Sequence, residues 1–329
     1  MKKILALIFS MVMLVSFSAF GSGKITLKLA HFGAMGDPGY DAAEAFKKEV
    51  EEKSGGNIII EIYPNNELGN PPEILEQVKL GAIDSCLVTQ GSLDKYSKKF
   101  ALLVTPFVFK NYEHAYKVLD GPFFEWTKNE LDQYNMHLVG NWDYGFRHLT
   151  NFKRPVVNPD DVKGLKIRTP PEIQQVACME ALGADVQQIS FTELLPALKQ
   201  NTVDGQENPL ATIYTRKLWE VNQKCLTMTH HVYQSLNLVF STPAWSKLSD
   251  DQKAIIETAS KNASAAMRQV VQKSDEEYVT KLKEQGVEVV FPNFDDFAAK
   301  MEPAHKKLSE YVGDPKLMEE FLKMVEDPK

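Results

Sequence analysis

From residue 25 onward, apolar and polar positions follow a strand-then-helix grammar. Residues 25–30 alternate as a strand, and residues 42–53 carry Ala42, Ala45, Phe46 and Val50 on one helical face before Gly55-Gly56 stops them. Ile58, Ile60 and Ile62 then share one face of a strand over 57–63. The next helix is well punctuated, with Asn70 as cap, Pro71 in the first turn, Glu73 three residues on and Gly81 just past the end. Residues 83–89 read as a third strand. This order predicts a largely parallel sheet with helices on its faces, and a ligand beyond the carboxyl ends of the strands. The middle of the chain repeats the grammar, with strands at 136–142 and 165–168 and a helix over 171–182 ended by Gly183. Ser190 with Glu193 opens a helix to Lys199, and Ser249 with Gln252 opens a long helical region toward Gln285. A last strand at 287–291 precedes a mostly helical tail.

The N-terminus follows a different rule. Lys2 and Lys3 precede a stretch over 4–20 that is apolar apart from Ser, followed by the small residues Ala19 and Gly21. This is the pattern of a cleaved secretory leader, here taken as residues 1–23, and the run is slightly short for a membrane span. No Cys lies near it, so a lipid anchor is not expected, and no later segment approaches the length of a span. Length and charge narrow the picture further. A chain of 329 residues exceeds one typical core, so two domains are expected. The net charge of −7 argues against nucleic acid as a partner. Cys86, Cys178 and Cys225 are odd in number and far apart, fitting buried small apolar side chains better than a disulfide framework or a zinc site.

The middle third carries the most specific signal. Gly145-Phe146-Arg147-His148-Leu149-Thr150-Asn151 is followed by Asp161-Val162-Lys163-Gly164-Leu165-Lys166-Ile167-Arg168. Then come Ala181-Leu182-Gly183-Ala184, Phe191-Thr192-Glu193, Ala197-Leu198-Lys199-Gln200 and Val203-Asp204-Gly205-Gln206-Glu207-Asn208-Pro209, and Thr227-Met228-Thr229-His230-His231 closes the run. In the N-terminal part, Tyr63-Pro64-Asn65-Asn66-Glu67-Leu68-Gly69 and Gly81-Ala82-Ile83-Asp84 match as well. In content and order these segments resemble the solute-binding proteins of TRAP transporters, the DctP family. The resemblance covers essentially the whole chain after the leader. It implies an α/β two-domain clamshell of the periplasmic-binding-protein type, built from discontinuous segments with the ligand in the interdomain cleft. It also implies a periplasmic protein, expected to be monomeric, that captures a small organic carboxylate and passes it to membrane permease subunits. The expected division is 24–143 plus 234–273 for domain I, and 144–233 plus 274–329 for domain II.

Candidate site residues follow from these segments. Arg168 ends a short strand, and its planar guanidinium matches a carboxylate through two parallel N–H donors. Residue type alone leaves it open between a ligand anchor and the partner of a local Asp or Glu; the resemblance implies the anchor. Arg147 matches a second family arginine near the site, with an interdomain or surface ion pair as the alternative. Asn208 matches a family asparagine on the carboxylate, although it also suits a turn before Pro209. Phe191 matches an aromatic that packs on the ligand, against a plain core role. The strand-end rule brings His31 and Phe32, and Thr89 and Gln90, to the cleft, and His31 and Gln90 are taken as its opposite wall. Trp142 is a candidate for stacking on a sugar face, with a core position as the alternative. Gly145 is expected to let the backbone turn close to a ligand.

Other chemistries find less support. Adjacent His230 and His231 point to opposite sides of a strand and have no Asp or Glu within four residues, so no metal is expected. No nucleophile elbow, phosphate loop, dinucleotide fingerprint or His-Glu-x-x-His occurs, so no cofactor and no enzymatic activity are expected. A secreted two-domain enzyme remains one alternative, and a periplasmic sensor subunit reporting to a receptor kinase is another. Among carboxylates, the stretch from Trp142 to Asn151 resembles members thought to bind sugar acids. A C4-dicarboxylate or a 2-oxo acid also fits an arginine anchor. Some sialic-acid-binding members carry a Glu and an Arg near the positions of Gln90 and Ser92; those charges are absent here, which argues against sialic acid.

Overall fold

The computed structural model describes residues 24–328; the expected leader lies outside them. Strands β1 (Ile25–His31) and β2 (Ile58–Tyr63) pair in parallel, with Leu27 beside Ile60. The connecting helix Pro38–Lys53 is capped by Asp37, whose carboxylate accepts from the Gly39 N–H at 2.9 Å. It buries Ala42, Ala43, Phe46 and Val50. Strand β3 (Ser85–Thr89) lies on the other side of β1, also parallel. The later strands are β4 (Met136–Asn151), β5 (Lys166–Thr169), β6 (Asp185–Gln188), β7 (Gly205–Pro209), β8 (Cys225–Ser241) and β9 (Glu288–Val290).

Among the described residues these nine strands form one sheet in the order β2-β1-β3-β8-β4-β7-β5-β6, with β9 on β8. The sheet is mixed. The outer pairs β1–β2, β1–β3, β5–β6, β5–β7 and β8–β9 are parallel, but β3–β8, β8–β4 and β4–β7 are antiparallel. The expectation of a largely parallel sheet therefore fails at its centre. Strands β4 and β8, of 16 and 17 residues, serve both halves of the molecule. On one side Met136–Asp143 pairs with Ser235–Ser241, next to β3. The ladder shifts register between Asp143 and Gly145, and from Gly145 on β4 pairs with the other end of β8 and with β7. Gly145 sits in the shift at φ +90°, a conformation that favours glycine. A Cβ there would lie 3.0 Å from both the Tyr112 hydroxyl and Val271, so this glycine admits a tyrosine and a helix and not a ligand.

Two apolar clusters cover the faces of the first half-sheet. One holds Ile74, Phe100, Phe123 and Phe321, and the other holds Phe46, Trp142, Ile256 and Met267. Two smaller clusters cover the second half, around Ile167, Met179 and Phe297, and around Leu198, Ile213 and Leu282. The helix Asp250–Glu284, 35 residues long and opened by a capping box at Ser249 and Gln252, contributes Met267 to the first half and Leu282 to the second. The final helix Pro315–Glu326 returns to the first half, where Phe321 meets Phe123 edge-on. Among the described residues, no helix is long and apolar enough to cross a membrane.

Candidate ligand-binding site

A cavity of about 440 Å³ lies where the two half-sheets meet. Phe32, at the end of β1, and Thr89, Gly91 and Ser92, at and after the end of β3, line it from the first half. Tyr144, Arg147, Arg168, Glu172, Phe191 and Asn208 line it from the second. The ends of parallel strands β1, β3 and β5 supply Phe32, Thr89 and Arg168, as the strand-end rule requires.

The two arginines differ in kind. Arg147 is buried and committed. Its Nε and Nη2 meet both carboxylate oxygens of Glu207, with Nη2–Oε1 at 2.8 Å. Nη2 also donates to the Glu207 carbonyl at 2.7 Å and to Asn208 Oδ1 at 3.1 Å, and Nη1 donates to Gln234. Burial works against its charge, but the Glu207 carboxylate outweighs burial and moves the Arg147 pKa upward. Glu207 answers in kind: burial pushes its pKa up, yet Arg147 and His231 hold it below the ordinary carboxylate range. His231 touches Glu207 through Nε2 at 3.0 Å and Thr229 through Nδ1 at 2.7 Å.

Arg168 is 1% exposed. Its Nε donates to the Ile189 carbonyl at 2.8 Å, which fixes the plane of the fork. The two terminal nitrogens carry four of the five N–H donors, and neither makes a hydrogen bond or ion pair among the described residues. Burial accordingly lowers its pKa to about 10, with Glu207 pulling the other way and Arg147 adding to the fall. At neutral pH the group is a charged, buried fork at the cavity wall.

Of the residues singled out in the sequence, the fold gathers Arg168, Arg147, Asn208 and Phe191 around this cavity. It places three others elsewhere. Trp142 is fully buried in the core and does not line the cavity, donating to Ser260 Oγ at 2.9 Å and packing edge-on against Phe46. His31 turns its Nδ1 to the Gly33 N–H at 3.1 Å, and burial lowers its pKa to about 4. Gln90 is buried with its side-chain oxygen on Ser235 Oγ at 3.0 Å. Of the four residues that the strand-end rule brought to the cleft, Phe32 and Thr89 line this cavity and His31 and Gln90 do not. The sequence reading passed over Glu172, Tyr144, Ser92 and Ser190 as site residues. Tyr144 follows Trp142 at strand spacing, a parity signal that could have found it. Among the described residues no group of His, Cys, Asp and Glu is arranged to hold a metal, and all three cysteines are buried and unpaired.

A buried guanidinium with free terminal nitrogens thus faces a cavity between the two halves of an α/β sheet. The model of the bacterial extracellular solute-binding proteins, family 7, matches residues 29–311. This chain belongs to that family. It is a TRAP-transporter solute-binding protein, as the sequence motifs implied, and the family is one of solute-binding proteins and not of enzymes. It is 32% identical over 305 residues to the sialic acid-binding periplasmic protein SiaP of Vibrio cholerae, covering 92% of this chain and 94% of that one. A TRAP periplasmic solute-binding protein from a Polaromonas species, bound to D-erythronate, superposes with a TM-score of 0.86 at 30% identity, over 92% of this chain and 98% of that one. The sugar acid binding protein DctPAm from Advenella mimigardefordensis, in complex with galactonate, gives 0.88 at 28% identity, over 93% and 99%.

Proposed function

We propose that this solute-binding protein captures a sugar acid, or a closely related small hydroxy acid, by its carboxylate. The observation that carries the reading is Arg168: a buried fork, its plane fixed by the Ile189 carbonyl, with both terminal nitrogens unpartnered at the cavity wall. A carboxylate there gains a bidentate, charge-assisted pair and relieves the burial of the cation. Asn208, held by Arg147, forms the floor beside it, and Phe32, Tyr144 and Phe191 offer apolar surface to a carbon chain. Arg147 lines the same cavity, but its donors are already committed to Glu207, Gln234 and Asn208. The solved relatives with erythronate and galactonate support the sugar-acid class.

The remaining parts of the reading are of the same standing. We assign residues 1–23 to a cleaved leader that sends the chain to the periplasm, where it acts as a monomer delivering its ligand to membrane permease subunits. The domain division lies at 143/144 and 233/234, where the β4 ladder shifts register, and within the long helix near residue 273. The final helix, packed on the first half, goes with domain I.

The test is calorimetry after a thermal-shift screen of a carboxylate library, in which specific ligands raise the melting temperature by mass action. Losing one partner of a buried charge pair costs about 2–5 kcal/mol, so Arg168→Ala should weaken binding roughly 30-fold to several thousand-fold. Arg168→Lys keeps the charge without the fork and should fall between. Binding by Arg168→Ala at wild-type strength would overturn the anchor.

A further inference from the structure

We propose that Glu172 makes this cleft selective for hydroxylated monocarboxylates over dicarboxylates, by holding an unpaired negative charge on the cavity wall. The inference rests on the carboxylate-capture reading above and adds to it the class of acid accepted.

Glu172 lies four residues after Arg168, where β5 has turned through Pro170 and Pro171 toward the helix Ile173–Ala181. It lines the same cavity and is only 8% exposed. Its site is built. Thr89 donates to Oε1 at 2.6 Å from across the cleft, and Gln175 and Gln234 donate to Oε2 through Nε2 at 3.2 and 3.1 Å. A Cβ at Gly91 would come within 2.2 Å of Oε2, so the opposite wall carries a glycine where this carboxylate docks. Two amide N–H groups converge on Oε2, a donor set that favours the carboxylate form. Burial raises the Glu172 pKa, with Asp94 and Glu207 adding to the rise, while Thr89 and Arg147 pull it down. No Lys, Arg or His lies within ion-pair distance among the described residues. Three of the roughly four acceptor positions of a carboxylate are thus filled by neutral donors, and about one remains.

Charge bookkeeping around the cavity then decides the ligand class. Arg147 is neutralised by Glu207, and Lys95 is held by Glu76 at 2.7 Å. Arg168 is the cation left without a partner among the described residues that line the cavity. One ligand carboxylate uses it up. A second carboxylate would find no free guanidinium and would face Glu172, with Asp94 also on the wall. Like charges brought together in a closed, poorly solvated cleft repel strongly. A hydroxyl at the same point is favoured, because it donates to the ionised carboxylate in a charge-assisted bond, and Ser92 and Ser190 supply further hydroxyl partners.

Two matched pairs of acids isolate this effect. meso-Tartrate is D-erythronate with its terminal CH2OH oxidised to a carboxylate, and galactarate bears the same relation to galactonate. Calorimetry on the wild-type protein should show, in whichever pair binds, the monocarboxylate at least about 30-fold tighter than its dicarboxylate. Glu172→Gln keeps the shape and removes the charge, so the ratio should narrow at least about tenfold, chiefly through better dicarboxylate binding. Glu172→Asp keeps the charge and should keep a ratio near wild type. If Glu172→Gln does not fold, the wild-type and Glu172→Asp ratios still decide. Dicarboxylate binding within threefold of its partner in the wild type, or a ratio unmoved in Glu172→Gln, overturns the proposal and leaves carboxylate capture standing. Failure of all four acids while other acids of the carboxylate library bind overturns this inference and leaves carboxylate capture standing; failure of the whole library overturns both.

Discussion

Two arginines of one sheet, both nearly inaccessible, divide the work of stability and binding. Arg147 is half of a pair with Glu207 that is fully desolvated and supported by Gln234, Asn208 and His231. Breaking such a pair by removing one partner strands a buried charge and costs about 3–5 kcal/mol. Arg147→Ala should therefore lower the stability of the unliganded protein by about that amount in denaturant titration. Arg168→Ala should change it little, because its terminal nitrogens make no bond among the described residues to lose. Residue type could not separate the two: both arginines sit in family motifs near the site, and only the position of Glu207 directly across from Leu149, on the strand paired with β4, shows which is already satisfied. The same limit explains His31 and Gln90. Strand ends were legible from the pattern, but which of two adjacent side chains faces the cleft depends on the parity of the pleat, and a slip of one residue inverts it.

At the scale of elements, helices were read well because their signals are local: Asn70, Pro71 and Glu73 at one start, Ser249 and Gln252 at another, all present as caps. The strand Cys225–Ser241 was missed because it is buried on both faces. Its buried polar side chains find partners within the fold, such as Thr227 on the Val156 carbonyl, His231 on Glu207 and Gln234 on Glu172, so no alternation of apolar and polar survives. Strand β4 was cut short at Trp142 since Asp143-Tyr144-Gly145 resembles a turn; the fold absorbs it as a register shift. Beside that shift the long helix carries Asp275, whose carboxylate accepts from Tyr112 and whose pKa burial raises to about 7, with Asp143 adding to the rise. An acid whose folded pKa lies above its unfolded value of about 3.9 takes up a proton on folding. Its contribution is full below about pH 4 and is lost as the pH rises toward 7. Asp275→Asn removes that loss, so its melting temperature relative to wild type should climb between pH 5 and pH 8, with a ceiling of about 4 kcal/mol at 1.36 kcal/mol per pKa unit. Parallel melting curves across that range check it, and a constant difference would exclude a protonated Asp275 in the folded state.

At the scale of the molecule, the clamshell class and its cleft were foreseen, but the sheet was not: reading strand, helix, strand implies parallel neighbours, and nothing local reports that β4 and β8 run antiparallel through both halves. Those two strands, with the helix Asp250–Glu284, are the connections that must flex if the halves move. The arrangement described here is drawn together by contacts across the cleft. Arg216 donates to the Phe32 carbonyl and to Asn65 Oδ1, both at 2.8 Å, and its guanidinium lies 5.1 Å from the Phe191 ring centre. Phe32 meets Phe191 edge-on at 5.6 Å, and Thr89 reaches Glu172 at 2.6 Å. Each is a single polar or aromatic contact worth on the order of 1 kcal/mol. Against them stands the burial of Arg168 without a counterion, which a ligand carboxylate cures. The balance predicts an open state without ligand and a closed one with it, since a ligand shifts the equilibrium only by its differential affinity for the two. Small-angle scattering should give a smaller radius of gyration once a binding sugar acid saturates the wild-type protein. Arg216→Ala, which removes cross-cleft bonds without touching the anchor, should leave that compact state reachable but at a higher ligand concentration. Identical scattering with and without saturating ligand would mean that the cleft is preformed, and that Arg168 waits for its carboxylate in an already closed site.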